Sequence, residues 1–227
     1  MTVLRASGAA MAPHERPQAV IRIVPAGGSR TASQIHNQWM YLSRKGEVQL
    51  QRSERYLGMM LPHRQLRELA QSWAVETGNY QAGQPAAESV QELTTHIVVS
   101  FPPGTTVAIA FATARDWAEE MFGSGRNGGT FDYLTACHTD RAHPHMHLVI
   151  NRRALEGHWL KISKRHPYLS YDKLRSALVD IAMRHGIVLD ATSRVERGIV
   201  DLPTTYAEYR RQARKAAQTD IGHGAEG

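Results

Sequence analysis

The sequence lacks several features that define large protein classes. Its 227 residues include one cysteine, Cys137, which excludes a disulfide framework and a multi-cysteine zinc ribbon. No apolar run approaches the roughly 18 residues that a membrane-spanning helix needs. The first residues, MTVLRASGAAMAPHERPQ, lack the apolar core of a secretory signal, so a reducing cytoplasm is the expected compartment. With 42% apolar and 21% charged residues, the composition is globular and excludes a mostly disordered chain.

Charge is distributed unevenly along the chain. The formal net charge is +6, but residues 1–66 carry +6, residues 67–151 carry −5 and residues 152–227 carry +5. A basic surface that faces a polyanion such as nucleic acid is one interpretation of the two basic segments. The alternative is an ordinary soluble protein, since a charge of this size is common at this length.

The hydrophobic pattern predicts alternating strands and helices. Alternating and β-branched apolar segments predict strands at 19–25, 94–101, 131–138, 145–151 and, as a short further partner, 157–162. Apolar residues at helical spacing predict helices from 29 or 31 to 46, at 62–78, from 105 or 106 to 122, and at 170–185. The strands 131–138 and 145–151 suit antiparallel pairing. We therefore predict an α+β fold with a central antiparallel β-sheet and flanking helices.

Histidines cluster around this predicted hairpin. Four of the twelve histidines lie within residues 138–147. Strand alternation sends His145 and His147 to one face, and hairpin pairing brings His138 beside them, with Cys137 on the opposite face. Three neutral imidazoles suit a divalent cation and leave coordination positions open for water or substrate. The alternative is a histidine-rich turn without metal.

Two further residues between these strands are candidates for supporting the imidazoles. Asp140 and His143 could each orient a ligand imidazole. The alternative for each is an ordinary turn residue, and the spacing favours neither interpretation.

The segment QWMYLSRKG places a tyrosine beside basic residues on the first predicted helix. Tyr41 lies off the apolar stripe of that helix, and Arg44 and Lys45 follow within one turn. A nearby cation and proton acceptor can activate a tyrosine as a nucleophile, and the basic pair could hold a phosphate backbone. Spacing alone favours the alternative, which is packing plus solvated charge.

Several separated segments together resemble one family. IRIVP, QWMYLSRKG, ELTTHIVVSFPPGT and HTDRAHPHMHLVINRR, in this order, are similar to motifs of the VirD-type relaxases, the T-DNA border nickases and their plasmid relatives. These enzymes belong to the histidine–hydrophobic–histidine (HUH) endonuclease superfamily. The segments WLKISKRHPYLSYDKLR and RHGIVLDATSRVERG also resemble the family, so the likeness covers about residues 18–212. A tyrosine that precedes the histidine motif favours relaxases over rolling-circle replication initiators.

The resemblance implies an activity and roles for individual residues. It implies an HUH relaxase fold and site- and strand-specific nicking of single-stranded or melted origin-of-transfer DNA through a covalent, rejoinable 5′-phosphotyrosine. Tyr41 would be the nucleophile, Asp140 and His143 would orient ligands or handle protons, and Ser100 would lie near DNA. The implied metal ligands are His138, His145 and His147, around Met146, with Mg²⁺ or Mn²⁺ expected and Zn²⁺ as an alternative. The predicted DNA contacts are Arg44, Lys45, Ser100, Arg152 and Arg153.

The resemblance also predicts a domain organisation and partners. We expect a flexible leader at 1–17, a relaxase catalytic domain at 18–203, and a basic C-terminal helix and tail at 204–227, opened by the capping box of Thr205 and Glu208. Single-stranded DNA is the expected partner, with an accessory relaxosome protein and a type IV secretion coupling protein implied by the family, and no membrane insertion. The expected location is the bacterial cytoplasm, with export alongside DNA reserved for a longer form, because VirD-type proteins usually carry a C-terminal transport segment.

Three other functions remain open at this point. The chain could be a metal-dependent phosphodiesterase that uses metal-bound water, with Tyr41 merely structural. It could be a rolling-circle replication initiator, or a non-enzymatic DNA-binding module.

Overall fold

The computed structural model of the protein describes residues 16–78, 91–193 and 196. The chain divides into two units, residues 1–192 and 193–227, and nearly all described residues belong to the first. The predicted leader at 1–17 lies almost wholly outside the described residues, and the predicted C-terminal helix and tail at 204–227 lie entirely outside them. Within the described ranges, no helix has both the length and the apolar character needed to cross a membrane.

A single antiparallel sheet forms the centre of the described part of the chain. Its six strands are β1 (Val20–Ile23), β2 (Leu50–Arg52), β3 (Met60–Leu61), β4 (Thr94–Ser100), β5 (Phe131–His138) and β6 (His145–Ala154). Their order across the sheet is β1-β4-β6-β5-β2-β3, and each neighbouring pair is antiparallel. The predicted fold class is thus confirmed, with the β5–β6 hairpin near the middle of the sheet.

Helices cover both faces of this sheet. The α-helices of the described residues are α1 (Ala32–Leu42), α2 (Leu66–Glu76), α3 (Val107–Ala118) and α4 (Tyr171–Arg184). Thr31 caps α1 by accepting a hydrogen bond from the backbone N–H of Gln34 at 3.1 Å, and Ser170 caps α4 in the same way through Lys173 at 3.3 Å. A side-chain oxygen at this position satisfies one of the N–H groups that a helix start leaves unpaired.

The two faces of the sheet carry different side chains. We call the side packed on α3 and α4 the apolar face, because β6 presents Met146, Leu148 and Ile150 there. The other side packs on α1 and α2 through a smaller apolar core that includes Trp39, Trp73 and Val149. We call it the histidine face, because alternation along β6 places His145 and His147 there with Val149.

The structure differs from the sequence predictions in three places. Helix α1 ends at Leu42 rather than Gly46, since Arg44 and Lys45 adopt positive φ angles of 50° and 58°, which no α-helix accommodates. Residues 157–162 form no strand and contribute only a single bridge, between Trp159 and Arg153. The short strands β2 and β3 were not predicted, because runs of three and two residues show no readable alternation.

Candidate active site

The β5–β6 hairpin brings three imidazole rings together on the histidine face. His138 pairs directly with His145, and His147 pairs with Ala136, so alternation sends all three rings to the same side. The ring centroids lie 4.6 to 5.5 Å apart. One nitrogen from each ring lies within 4.8 Å of the others, which is compatible with three ligands on one cation.

The rings are kept in the neutral form that binds metal. Burial, followed by the neighbouring imidazoles, lowers the pKa of His147 to about 3. Burial is also the main cause that lowers the pKa of His138 and of His145. A neutral imidazole offers a lone pair, whereas an imidazolium offers none. At neutral pH this cluster therefore presents three lone-pair donors rather than three positive charges.

Backbone carbonyls orient two of the rings. His138 Nε2 lies 2.8 Å from the carbonyl oxygen of Leu42, so this nitrogen carries the proton and donates it. His145 Nδ1 lies 3.4 Å from the carbonyl oxygen of His143, a longer contact of the same kind. Each ring therefore keeps its other nitrogen as a lone-pair donor, an arrangement typical of metal-ligating histidines. The donor set fits a divalent first-row cation.

A fourth histidine anchors the third ring. His96 Nε2 lies 2.8 Å from His147 Nδ1, which leaves His147 Nε2 for a metal. Sequence reasoning missed His96, because a lone histidine in an apolar strand reads as a core residue. The available signal was alternation along β4, which puts His96, Val98 and Ser100 on one face.

An ion pair joins the end of α1 to the histidine hairpin. Arg44 Nη2 lies 2.7 Å from Asp140 Oδ2, and Asp140 Oδ1 lies 3.6 Å from His145 Nε2. Burial raises the pKa of Asp140, but its own backbone N–H and the Arg44 guanidinium outweigh this and lower the pKa below its ordinary value. The predicted orienting residue Asp140 thus faces the cluster, and Arg44, predicted as a DNA contact, is engaged by it.

The candidate nucleophile lies at this same end of α1. Tyr41 is 77% exposed, and the next residue, Leu42, is the one whose carbonyl holds His138. The backbone of Tyr41 therefore adjoins the residue that contacts the cluster, while the apolar stripe of α1 stays in the core. An exposed phenol beside a buried cluster is accessible to a large substrate.

The other predicted site residues lie at different distances from the cluster. Ser100 pairs directly with His145 across β4 and β6, so it borders the cluster. The ring of His143 lies beside that of His145, with centroids 6.0 Å apart. Lys45 is exposed in the turn that follows α1.

Arg152 and Arg153 are not brought to the cluster. They lie about 23 to 26 Å further along β6 than His145, at 3.3 Å per strand residue. Arg152 donates to the carbonyl oxygen of Leu160 at 3.3 Å, and the Arg153 guanidinium lies 5.8 Å from the Trp159 ring centroid.

Comparisons with known proteins place the chain in a family. Residues 41–187 match the family model "Relaxase: MobA/VirD2-like, nuclease domain". The chain belongs to this relaxase family. The match begins at Tyr41 and includes the whole histidine hairpin, so the sequence resemblance is confirmed.

Curated relatives agree with this assignment. The chain is 60% identical over 205 residues to the T-DNA border endonuclease VirD2 of Rhizobium rhizogenes, which covers 90% of this chain and 47% of that protein. It is 58% identical over 205 residues to VirD2 of Agrobacterium fabrum (strain C58 / ATCC 33970), covering 90% of this chain and 46% of the relative. The chain spans about half the length of these relatives.

Solved structures share the fold. The MobM relaxase domain (MOBV; Mob_Pre) bound to 26-nucleotide pMV158 oriT DNA aligns with a TM-score of 0.52 at 13% identity, over 85% of this chain and 99% of that one. A Mn-bound crystal structure of the same domain with pMV158 oriT DNA aligns with a TM-score of 0.52 at 14% identity, over 86% and 98%. At this identity the likeness supports the relaxase fold alone.

Proposed function

We propose that this chain is a site- and strand-specific DNA relaxase that nicks and rejoins one strand by tyrosine transesterification. The observation that carries the proposal is the contact between α1 and the hairpin. The hydrogen bond from His138 to Leu42 and the ion pair of Arg44 with Asp140 fix the helix end that carries Tyr41 beside three convergent imidazoles. Proximity of a nucleophile to the group that binds the phosphate is a large part of catalysis of phosphoryl transfer.

Tyr41 is the proposed nucleophile. Its phenol oxygen forms a bond to the scissile phosphorus while the bond from phosphorus to the 3′ oxygen breaks. The phenol loses one proton and the departing 3′ oxygen gains one, so a 5′-phosphotyrosine and a free 3′-hydroxyl result. The phosphodiester energy stays in the tyrosyl ester, so the 3′-hydroxyl can attack in reverse and restore the strand. The substrate is single-stranded or melted at the nick, because stacking in a duplex would keep the phosphate out of line.

His138, His145 and His147 are the proposed ligands of a divalent cation, Mg²⁺ or Mn²⁺ with Zn²⁺ as an alternative. Such a cation, when bound, polarises a phosphate oxygen and stabilises the charge that develops during transfer. The chain supplies neutral lone pairs in a fixed geometry, because burial disfavours protonation and a hydrogen bond holds each ring.

The neighbouring residues have supporting roles in this proposal. The Asp140 carboxylate lies 3.6 Å from His145 Nε2, the nitrogen proposed to face the cation, so its negative charge would favour a bound cation, and its pair with Arg44 sets the spacing between hairpin and helix. Ser100, directly opposite His145, and the exposed Lys45 are proposed DNA contacts. His143 contributes its carbonyl oxygen to His145, and its ring is a candidate for proton handling.

The name of a relative suggests which DNA sequence is the substrate. We propose that residues 18–203 form the catalytic domain and that its substrate is a border or origin-of-transfer sequence, since the 60% identical relative is named a T-DNA border endonuclease. From the family resemblance we also propose an accessory relaxosome protein and a type IV coupling protein as partners. The proposed location is the bacterial cytoplasm. Arg152 and Arg153 remain candidates for contacts with DNA away from the nick.

An adduct assay tests the nucleophile. The protein is incubated with Mn²⁺ and a panel of border and origin oligonucleotides labelled at the 3′ end, then separated under denaturing conditions. We expect a labelled protein–DNA band that disappears, together with cleavage, in Tyr41→Phe. Tyr168→Phe, at another exposed tyrosine, is the matched control and should retain the band.

The phosphodiesterase and the binding module each predict a different result. Cleavage that persists in Tyr41→Phe without any adduct would indicate a phosphodiesterase that uses water. An adduct that persists in that variant would place the nucleophile elsewhere. Neither cleavage nor an adduct with the intact protein, on every DNA of the panel, would favour a binding module.

A further inference from the structure

The strand β4 places a fourth imidazole behind the cluster. His96 is diagonal to His147 across β4 and β6, since His147 pairs directly with Val98. Side chains in diagonal positions of an antiparallel pair can reach one another. The two rings are 5.1 Å apart at their centroids and tilted by 33°, and their facing nitrogens are 2.8 Å apart. His96 is not among the three residues whose ligand atoms converge.

The contact between these rings can form in two ways. A neutral imidazole carries one N–H, so either His147 Nδ1 donates to His96 Nε2 or the reverse. Only the first arrangement leaves the lone pair of His147 on Nε2, the nitrogen that is free to face a cation. In the second arrangement the proton of His147 lies on Nε2, and this ring cannot bind a metal. The tautomer of His147 is therefore coupled to that of its partner.

This coupling distinguishes His147 from the other two rings. His138 and His145 are held by backbone carbonyl oxygens, which can only accept a hydrogen bond and therefore fix the tautomer whatever the side chains nearby. The partner of His147 is a side chain that can either donate or accept. The ligating form of His147 therefore requires that residue 96 accept this hydrogen bond rather than donate it.

We propose that His96 is a positioning residue that accepts a hydrogen bond from His147 Nδ1 and thereby turns the His147 Nε2 lone pair toward the cation. This rests on the proposed function, because it takes His147 as a metal ligand. His96 does not contact the metal or the DNA in this role. Its effect is to raise the fraction of protein molecules in which the His147 Nε2 lone pair is available to a metal.

Two substitutions separate hydrogen bonding from packing. His96→Gln keeps an acceptor close to the position of the imidazole Nε2, while His96→Phe keeps a ring against His147 and removes the acceptor. Titration calorimetry with Mn²⁺ alone measures the affinity of each variant. We expect His96→Phe to bind Mn²⁺ about 10- to 100-fold more weakly than the original protein, as for loss of other groups that hold ligand histidines. His96→Gln should remain within about threefold of the original.

A spectroscopic measurement tests the tautomer without metal. Nitrogen-15 chemical shifts of the histidine rings distinguish a protonated Nδ1 from a protonated Nε2. We expect His147 of the metal-free protein to carry its proton on Nδ1, both in the original protein and in His96→Gln. In His96→Phe a substantial share should move to Nε2. Burial lowers the pKa of His96 to about 4, so at pH 7.5 the spectra report neutral rings.

The outcomes separate this inference from the proposed function. If the original protein binds no Mn²⁺, the proposed metal site fails, and the inference fails with it. If it binds Mn²⁺ and His96→Phe binds equally well, the metal site stands and the inference is overturned. Equal weakening in both variants would identify a structural or ligating role for His96 and overturn it too. A proton on Nε2 of His147 in the original protein would overturn it independently of any metal.

Discussion

The two faces of β6 differ in what they contribute: one stabilises the fold, and the other carries the histidines of the proposed site. Met146, Leu148 and Ile150 point into the larger core, and each is fully buried. On the other face, His145 and His147 take positions that an ordinary sheet would give to residues like Val149, which lies on the same face in the smaller core. The proposed chemistry is therefore confined to alternate residues near one end of the strand, and the intervening residues stabilise the fold.

Burial of imidazole rings on the histidine face carries a free-energy cost that burial of apolar side chains on the other face does not. A buried polar ring without a partner loses the hydrogen bonds that water gave it. Here each ring of the cluster has a partner, and one of these partners, the carbonyl of Leu42, belongs to the helix that carries Tyr41. The same contact thus satisfies a buried group and positions the proposed nucleophile.

The largest expected effect is the loss of Mn²⁺ affinity on substitution of His145, whose neighbour Met146 lies on the apolar face. His145→Ala removes one of three proposed ligands, so Mn²⁺ affinity should fall by more than about 100-fold, beyond the loss expected for a supporting residue. Formation of the DNA adduct should fall with it. Titration calorimetry and the adduct assay measure the two effects. Retention of Mn²⁺ affinity within a few-fold would exclude His145 as a ligand.

Substitution of the adjacent residue, on the apolar face, should lower stability and leave Mn²⁺ affinity almost unchanged. Met146 is fully buried on the apolar face, and truncation of a buried methionine to alanine costs about 2–5 kcal/mol. Met146→Ala should lower the free energy of unfolding by this amount, measured with urea, and change Mn²⁺ affinity by no more than about twofold at low temperature. A large loss of affinity with little loss of stability would show that the faces are not independent.

The sequence was sufficient to predict the hairpin and its faces. The observed β5 coincides with the predicted strand 131–138, and β6 starts at His145 as predicted. Alternation is a local property, so it placed Cys137 opposite the imidazoles without any tertiary information. The family resemblance then supplied the proposed role of Tyr41 as a nucleophile, for which spacing alone favoured packing.

The contacts that complete the site could not be read in this way. The partner of His138 is a backbone carbonyl, and every residue has one, so no side-chain pattern marks Leu42. His96 required the register between β4 and β6, which depends on nonlocal pairing. Arg44 was predicted to bind DNA, and its partner Asp140 lies 96 positions away along the chain.

A smaller effect concerns the ion pair that spans the two elements. Arg44→Gln leaves Asp140 without its cation, and the hairpin and the end of α1 then lose a fixed spacing. We expect adduct formation to slow by about tenfold, since small displacements of reacting groups are costly, while the free energy of unfolding changes by less than about 1 kcal/mol for so exposed a pair. Kinetics of adduct formation and urea unfolding measure these effects.

A double-mutant cycle shows whether the pair acts as a unit. Asp140→Asn combined with Arg44→Gln should be no slower than the slower single variant. Additive losses would mean that the two residues act separately, for example with Arg44 on the DNA backbone.

The smallest expected effect concerns the thiol reactivity of Cys137, which lies next to His138 but on the opposite face. Burial raises the pKa of the Cys137 thiol to about 11 and lowers the pKa of His138, because in both cases it disfavours the charged form. Neutrality makes the thiol inert but gives the imidazole a lone pair for a metal, so one physical cause has opposite chemical consequences.

Since thiolate is the reactive species, alkylation by iodoacetamide should keep accelerating up to about pH 11, whereas free cysteine levels off about two pH units lower. Cys137 is the single cysteine, so mass spectrometry reports this site alone, and a plateau below pH 9 would show that burial does not act alike on the two faces.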